Sequence, residues 1–122
     1  VWTLCSHNGK LYDGGNYRNY RAVYETLRNK KVAERDGWVL ALCSHNGKLY
    51  DGGEYKAVYE TLSNKKVAER DGWVLALCSH NGKLYDGGSY KAVYETLTSK
   101  LVRKFSDYIT AMISVEREVV GL

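Results

Sequence analysis

Hydrophobic and polar residues alternate in short bursts along this chain, and the bursts recur. Between Trp38 and Arg70 the pattern predicts four strands: Trp38–His45, Lys48–Tyr50, Lys56–Leu62 and Lys65–Arg70. In the first, Trp38, Leu40 and Leu42 interleave with Val39, Ala41 and Cys43, so a strand buried on both faces is expected. In the last, Val67 and Glu69 interleave with Lys66, Ala68 and Arg70, which reads as an outer strand with a charged, protected edge. Breakers separate the runs. Asn46-Gly47 is a type I′ hairpin signal, and Asp51-Gly52-Gly53, Ser63-Asn64 and Asp71-Gly72 read as further turns. Polarity therefore rises from the first strand to the fourth.

The same unit repeats. Trp38–Gly72 is followed by a near-identical copy from Trp73 to Leu97, and a third copy opens the chain as VWTLCSHNGKLYDGG. Such self-similarity means that one small unit is stacked, because no single copy can bury its own apolar face. The period is 35 residues from Cys43 to Cys78 but 38 from Cys5 to Cys43. The difference lies in Asn16–Arg21, where a Tyr-Arg unit is doubled, and an insertion there predicts a surface loop. After Leu97 the copy decays, with Thr98–Phe105 in place of the clean fourth strand. Tyr108–Ser114 then matches Trp73–Ser79 in pattern, and the chain reaches Leu122 after about two strands of a fourth unit. The expected organisation is one repeat domain over 1–122, with units 1–37, 38–72 and 73–107 and a partial unit 108–122. The near identity of two units points to recent duplication or to design.

A gradient from an apolar first strand to a polar fourth is that of a propeller blade, whose first strand lines the axis and whose last faces solvent. The order WV-L-A-L, NG-K-L, GG, K-A-V-Y-E, K-K-V resembles a degenerate WD-repeat blade. Tyr24-Glu25, Tyr59-Glu60 and Tyr94-Glu95 stand where that family has Trp-Asp. The Gly-His element is absent, with Asp36-Gly37 and Asp71-Gly72 in its place, and the Asp of the turn between second and third strands has no clear counterpart. The resemblance implies an all-β chain of tandem four-stranded antiparallel blades, about three and a half per chain. It says little about a ligand. The alternative is an α-helical repeat solenoid: the period suits tetratricopeptide and pentatricopeptide units, LCSHNGKL resembles the first helix of the latter, and Lys56–Arg70 is rich in helix formers. Three or four Gly per unit argue against it, each costing up to about 1 kcal/mol inside a helix.

Propellers close with four to eight blades, typically, so three and a half leave an apolar face open and invite association. Either two chains assemble, with about seven blades between them, or the chain is a fragment of a longer one. Composition agrees with a folded domain of 122 residues: 44% hydrophobic and 26% charged is a globular balance, not a disordered one. Eleven Tyr suit half-buried strands. No run is long and apolar enough to span a membrane, and no signal peptide is read, although the first residue is Val rather than Met. The net charge of +4 is spread among acids rather than gathered in a stripe, so nucleic acid is not an expected partner. Protein partners, or a second copy, are.

Cys5, Cys43 and Cys78 occupy the same place in each unit. An odd number at equivalent sites predicts free thiols and a reducing, cytoplasmic setting. Each opens a Cys-Ser-His-Asn run. Residues two apart on a strand share a face, so Cys5 with His7, Cys43 with His45 and Cys78 with His80 could converge on an axis as zinc or copper ligands. The competing reading is structural: Cys packs as a small hydrophobe, and repetition makes any residue recur. Asp51-Gly52-Gly53 could form an anion nest, but lacks the helix and Lys-Ser/Thr of a phosphate loop, and reads as a turn. Tyr50, Tyr55 and Tyr59 with Lys48 and Lys56 could stack on single-stranded nucleic acid, and cross-strand packing explains them equally. No catalytic set stands out and no cofactor is implied. The expected function is a non-enzymatic scaffold for protein interaction or self-assembly. A helical-repeat RNA or peptide binder and a metal or small-ligand site are the alternatives.

Overall fold

Asn-Gly pairs organise the chain locally. Asn8, Asn46 and Asn81 have φ of 48°, 47° and 49°, and Gly9, Gly47 and Gly82 follow at 75°, 76° and 76°. Two consecutive left-handed residues close a type I′ hairpin and cannot continue a helix. The computed structural model describes residues 2–16 and 19–115. It contains twelve strands and, among the described residues, no helix, so the solenoid alternative is overturned.

The strands form three sheets, each an antiparallel meander in sequence order. The first blade holds β1 (Thr3–His7), β2 (Lys10–Asn16), β3 (Asn19–Glu25) and β4 (Lys30–Glu34). The second holds β5 (Val39–His45), β6 (Lys48–Gly53), β7 (Ala57–Glu60) and β8 (Lys65–Glu69). The third holds β9 (Val74–His80), β10 (Lys83–Gly88), β11 (Ala92–Glu95) and β12 (Lys100–Lys104). The degenerate copy after Leu97 thus still forms a fourth strand, paired with β11. The expected loop at Asn16–Arg21 is replaced, in its described part, by longer strands: Asn16 and Asn19 are ladder partners. Residues 17 and 18 lie outside the described residues.

The cores lie between blades, not within them. Tyr12 and Val23 of the first blade pack with Val39, Leu42 and Leu49 of the second. Tyr50, Val58 and Ala68 of the second pack with Val74 and Leu84 of the third. The burial order departs from expectation in one respect. The second strand, not the first, is the most enclosed: Leu49–Gly53 are all buried, whereas Leu40, Cys43 and Ser44 of β5 are half-buried. The first strand borders the open axis, while the second is covered by the next blade.

That packing also corrects the reading of Asp51-Gly52-Gly53 as a turn. All three are strand residues of β6. A Cβ on Gly52 would lie 2.5 Å from Cγ1 of Val74 in the next blade, and one on Gly53 would lie 1.9 Å from the Trp38 carbonyl oxygen. The glycines are there for close approach, not for a bend.

Tyr108–Ser114 continues the scheme. Ile109 packs over Gly87 as Val74 does over Gly52 and Val39 over Gly14. Its N–H donates to Gly88 O at 3.1 Å. The segment takes the place of a fourth blade's first strand, with no ladder partner among the described residues. A second strand of that unit falls on residues outside the described ones.

Candidate functional site

Two kinds of polar contact join successive blades. At the outer end of blade one, after β4, Arg35 reaches into blade two. Its Nε donates to Oδ2 of Asp51 at 2.7 Å and its Nη2 to Oδ1 at 2.9 Å. Asp51 is wholly buried, and Thr61 Oγ1 and the Tyr55 hydroxyl also donate to it. Arg35 lies 4.2 Å from the Tyr59 ring centroid. Arg70 repeats this with Asp86 of blade three, at 2.7 and 2.8 Å, beside Thr96, Tyr90 and Tyr94. Burial, then the neighbouring carboxylate, holds the Tyr55 and Tyr90 phenols well above their ordinary range. Tyr50 is buried in the core, so these tyrosines are occupied by packing and by the carboxylate net.

The repeated histidines make the second contact. Nδ1 of His7 meets Ser44 Oγ at 2.7 Å, His45 meets Ser79 at 2.6 Å, and His80 meets Ser114 at 2.7 Å. Each spans from one inner strand to the next. Burial pushes the His45 imidazole below its ordinary pKa. Cys5, Cys43 and Cys78 are free and half-buried. Each thiol leans on the carbonyl of the following serine. Burial, then the nearby Cys5 and Cys78, pushes the Cys43 thiol up to about 11. Among the described residues no group of three or more His, Cys, Asp or Glu is placed to hold a metal ion.

A third arrangement was not anticipated from the sequence. All three tryptophans of the chain line one cavity of about 500 Å³, with Leu40, Leu75, Glu54 and Thr110. Trp2 stacks on Trp38 at 5.8 Å between centroids and 26° between planes, and Tyr20 packs on Trp38 at 4.8 Å. Trp2 and Trp73 remain 56% and 45% exposed. A groove floored by the inner strands continues from it, past Ala41, Ala76 and Met112. The site places Trp2 at the position that Leu40 and Leu75 hold in the other units, three residues before the repeated Cys. One signal for it did lie in the sequence. Trp38–Leu62 and Trp73–Leu97 differ at a single position, Glu54 against Ser89, and Glu54 faces this cavity.

No protein-family model and no curated protein matches the sequence. Solved structures do. The computationally designed Ika4 protein aligns over 88% of this chain and 75% of its own, at TM-score 0.57 and 18% identity. The WD40 repeats of RRP9 align over 84% of this chain and 37% of their own, at 0.56 and 15%. U3-55K aligns over 84% and 38%, at 0.57 and 16%. The chain therefore spans under two fifths of the RRP9 and U3-55K structures and three quarters of Ika4. At such identities the likeness shows the fold: tandem, degenerate WD-like propeller blades. No helix among the described residues is long and apolar enough to cross a membrane.

Proposed function

We propose that the chain is a non-enzymatic propeller scaffold that completes its ring with a second copy of itself. One observation carries this. Leu4 and Leu42 each precede the repeated Cys, yet Leu42 is 8% exposed and Leu4 is 59% exposed. Leu42 has a preceding blade to pack on; among the described residues Leu4 has none. The opposite end is complementary. Val32 and Val67 pack against the next blade, while Val102, at the same place in the third unit, is 52% exposed. A face that wants a following blade and a face that wants a preceding one, on one chain, make a head-to-tail interface that two copies can close. Three free thiols support a reducing compartment.

Light scattering coupled to size exclusion tests this, with twice the chain mass as the expected result. Leu4→Glu should yield monomer, and Leu27→Glu, on an exposed turn, should not. A stable monomer of the unmodified chain at micromolar concentration overturns the reading. For the Cys and His residues we infer an inter-blade packing role. Zinc titration bears on it directly, since tight binding by this chain would require a ligand set beyond the contacts described.

A further inference from the structure

We propose that the tryptophan-lined cavity binds an organic cation of the tertiary or quaternary ammonium class. The argument begins with an asymmetry. Over two 25-residue stretches, Trp38–Leu62 and Trp73–Leu97, one residue differs, and it is Glu54 against Ser89. The structural task at that position is the same in both. Glu54 Oε1 accepts the Trp38 backbone N–H at 3.1 Å, and Ser89 Oγ accepts the Trp73 backbone N–H at 2.8 Å. A hydroxyl therefore suffices to hold the strand entry. The carboxylate's charge is surplus to that task, and Glu54 is the one ionisable residue among the described residues that line the cavity.

The surroundings fit a cation. Indole faces carry negative quadrupole potential and attract cations within about 6 Å of the ring centroid, Trp most strongly. Here Trp2, Trp38 and Trp73 border a space of about 500 Å³, within the usual range for small-molecule sites. Among the described residues no Lys or Arg lines it. Two of the tryptophans stay largely exposed, and large aromatics gathered at one mouth mark a binding surface more often than a resting one. An alkylated ammonium matches all three features: an apolar shell for the indoles and leucines, a diffuse positive charge for the ring faces, and a counter-ion in Glu54. Inorganic cations would lose their hydration to a wall with a single carboxylate, and anions would meet repulsion. Glu54 lies in the middle blade, so substituting it tests this inference without touching the faces proposed for ring closure.

The probes are choline and its neutral isostere 3,3-dimethylbutan-1-ol, titrated against the full chain by tryptophan fluorescence and by calorimetry. Because the cavity holds all three tryptophans, the fluorescence reports on it alone. Choline should give a saturable change, with the isostere about tenfold weaker or more. Glu54→Ser copies the residue that the third blade already carries, so folding should survive, with an unchanged melting temperature. It should weaken choline about tenfold and leave the isostere as it was. Absence of saturable choline binding overturns the proposal. So does an isostere that binds as well as choline, a Glu54→Ser variant that binds choline undiminished, or a fluorescence change that only follows oligomeric state.

Discussion

Replacing Arg35 by Met tests whether the blades are held by their buried ion pairs. Met keeps much of the volume and removes the charge. Arg35 and Asp51 side chains are 2% and 0% exposed, and the guanidinium meets both carboxylate oxygens. The variant leaves Asp51 buried with only Thr61 and Tyr55 as donors. Removing one partner of a buried, bidentate pair costs about 3–5 kcal/mol, because the remaining charge stays desolvated. A domain of this size holds about 5–15 kcal/mol in total, so about a fifth or more of the stability is at stake. Urea unfolding followed by tryptophan fluorescence should show the midpoint fall accordingly. The double variant Arg35→Met/Asp51→Asn removes the stranded charge and should recover about 1–3 kcal/mol relative to the sum of the singles. Arg70→Met repeats the geometry one blade later and should cost a similar amount. Lys31→Met breaks a fully exposed pair with Glu34, screened by solvent, and should leave the urea midpoint essentially where it was. If Arg35→Met costs no more than Lys31→Met, or the cycle is additive, the pair does not hold the blades together.

Three other outcomes follow from the packing. Gly53→Ala should cost about 3 kcal/mol or more, since its Cβ meets the Trp38 carbonyl. Gly47→Ala has open space around it and only a left-handed φ of 76° to strain it, so about 1–2 kcal/mol is expected, and equal losses in urea melts would contradict this. His45 has its pKa lowered by burial from an ordinary 6.5, so the unfolded chain takes up the proton first. Stability should then fall as pH drops below about 6.5, and His45→Asn should flatten that slope; an unchanged slope places the titration elsewhere. With its thiol raised to about 11 from 9.0, Cys43 should alkylate roughly a hundredfold more slowly in the folded chain than in urea at pH 8, as followed by peptide mass spectrometry, and equal rates would refute its burial.

The period, the hairpins and the four strands per unit were legible because their causes are local. Asn46-Gly47 adopts left-handed φ through its own chemistry, and Val39–His45 carries its strand propensity in itself. Asp51-Gly52-Gly53 was misread because its cause is remote. Gly52 and Gly53 are small for the sake of Val74 and the Trp38 carbonyl, and Asp51 is charged for the sake of an Arg sixteen residues earlier in another blade. Turn chemistry and strand close-packing use the same letters, and only the neighbouring blade distinguishes them. The partners of the repeated imidazoles were hidden in the sequence for a similar reason. The partner of each His is a Ser 34 to 37 residues later, in the next unit.

The informative positions in a repeat are those where it departs from itself. Copies that share Val, Leu, Tyr and Gly at fixed spacing specify how one blade packs on the next, and identical residues there carry the same job each time. The departures divide into two groups by location. Phe105 stands where Arg35 and Arg70 stand in the preceding units, so the third blade has no guanidinium at that place to send forward, and Leu101, Val102 and Phe105 are apolar and exposed there. Those changes suit an interface closed by apolar contact rather than by a buried ion pair. Glu54, in contrast, lies at the axial mouth in the middle blade, away from either terminal face. A change selected for assembly would fall on the blade faces, and one that drifted freely would fall on the exposed fourth strands. Glu54 does neither. Its place among three tryptophans, in a unit otherwise copied without error over 25 residues, is accounted for by a ligand that distinguishes one blade from the next.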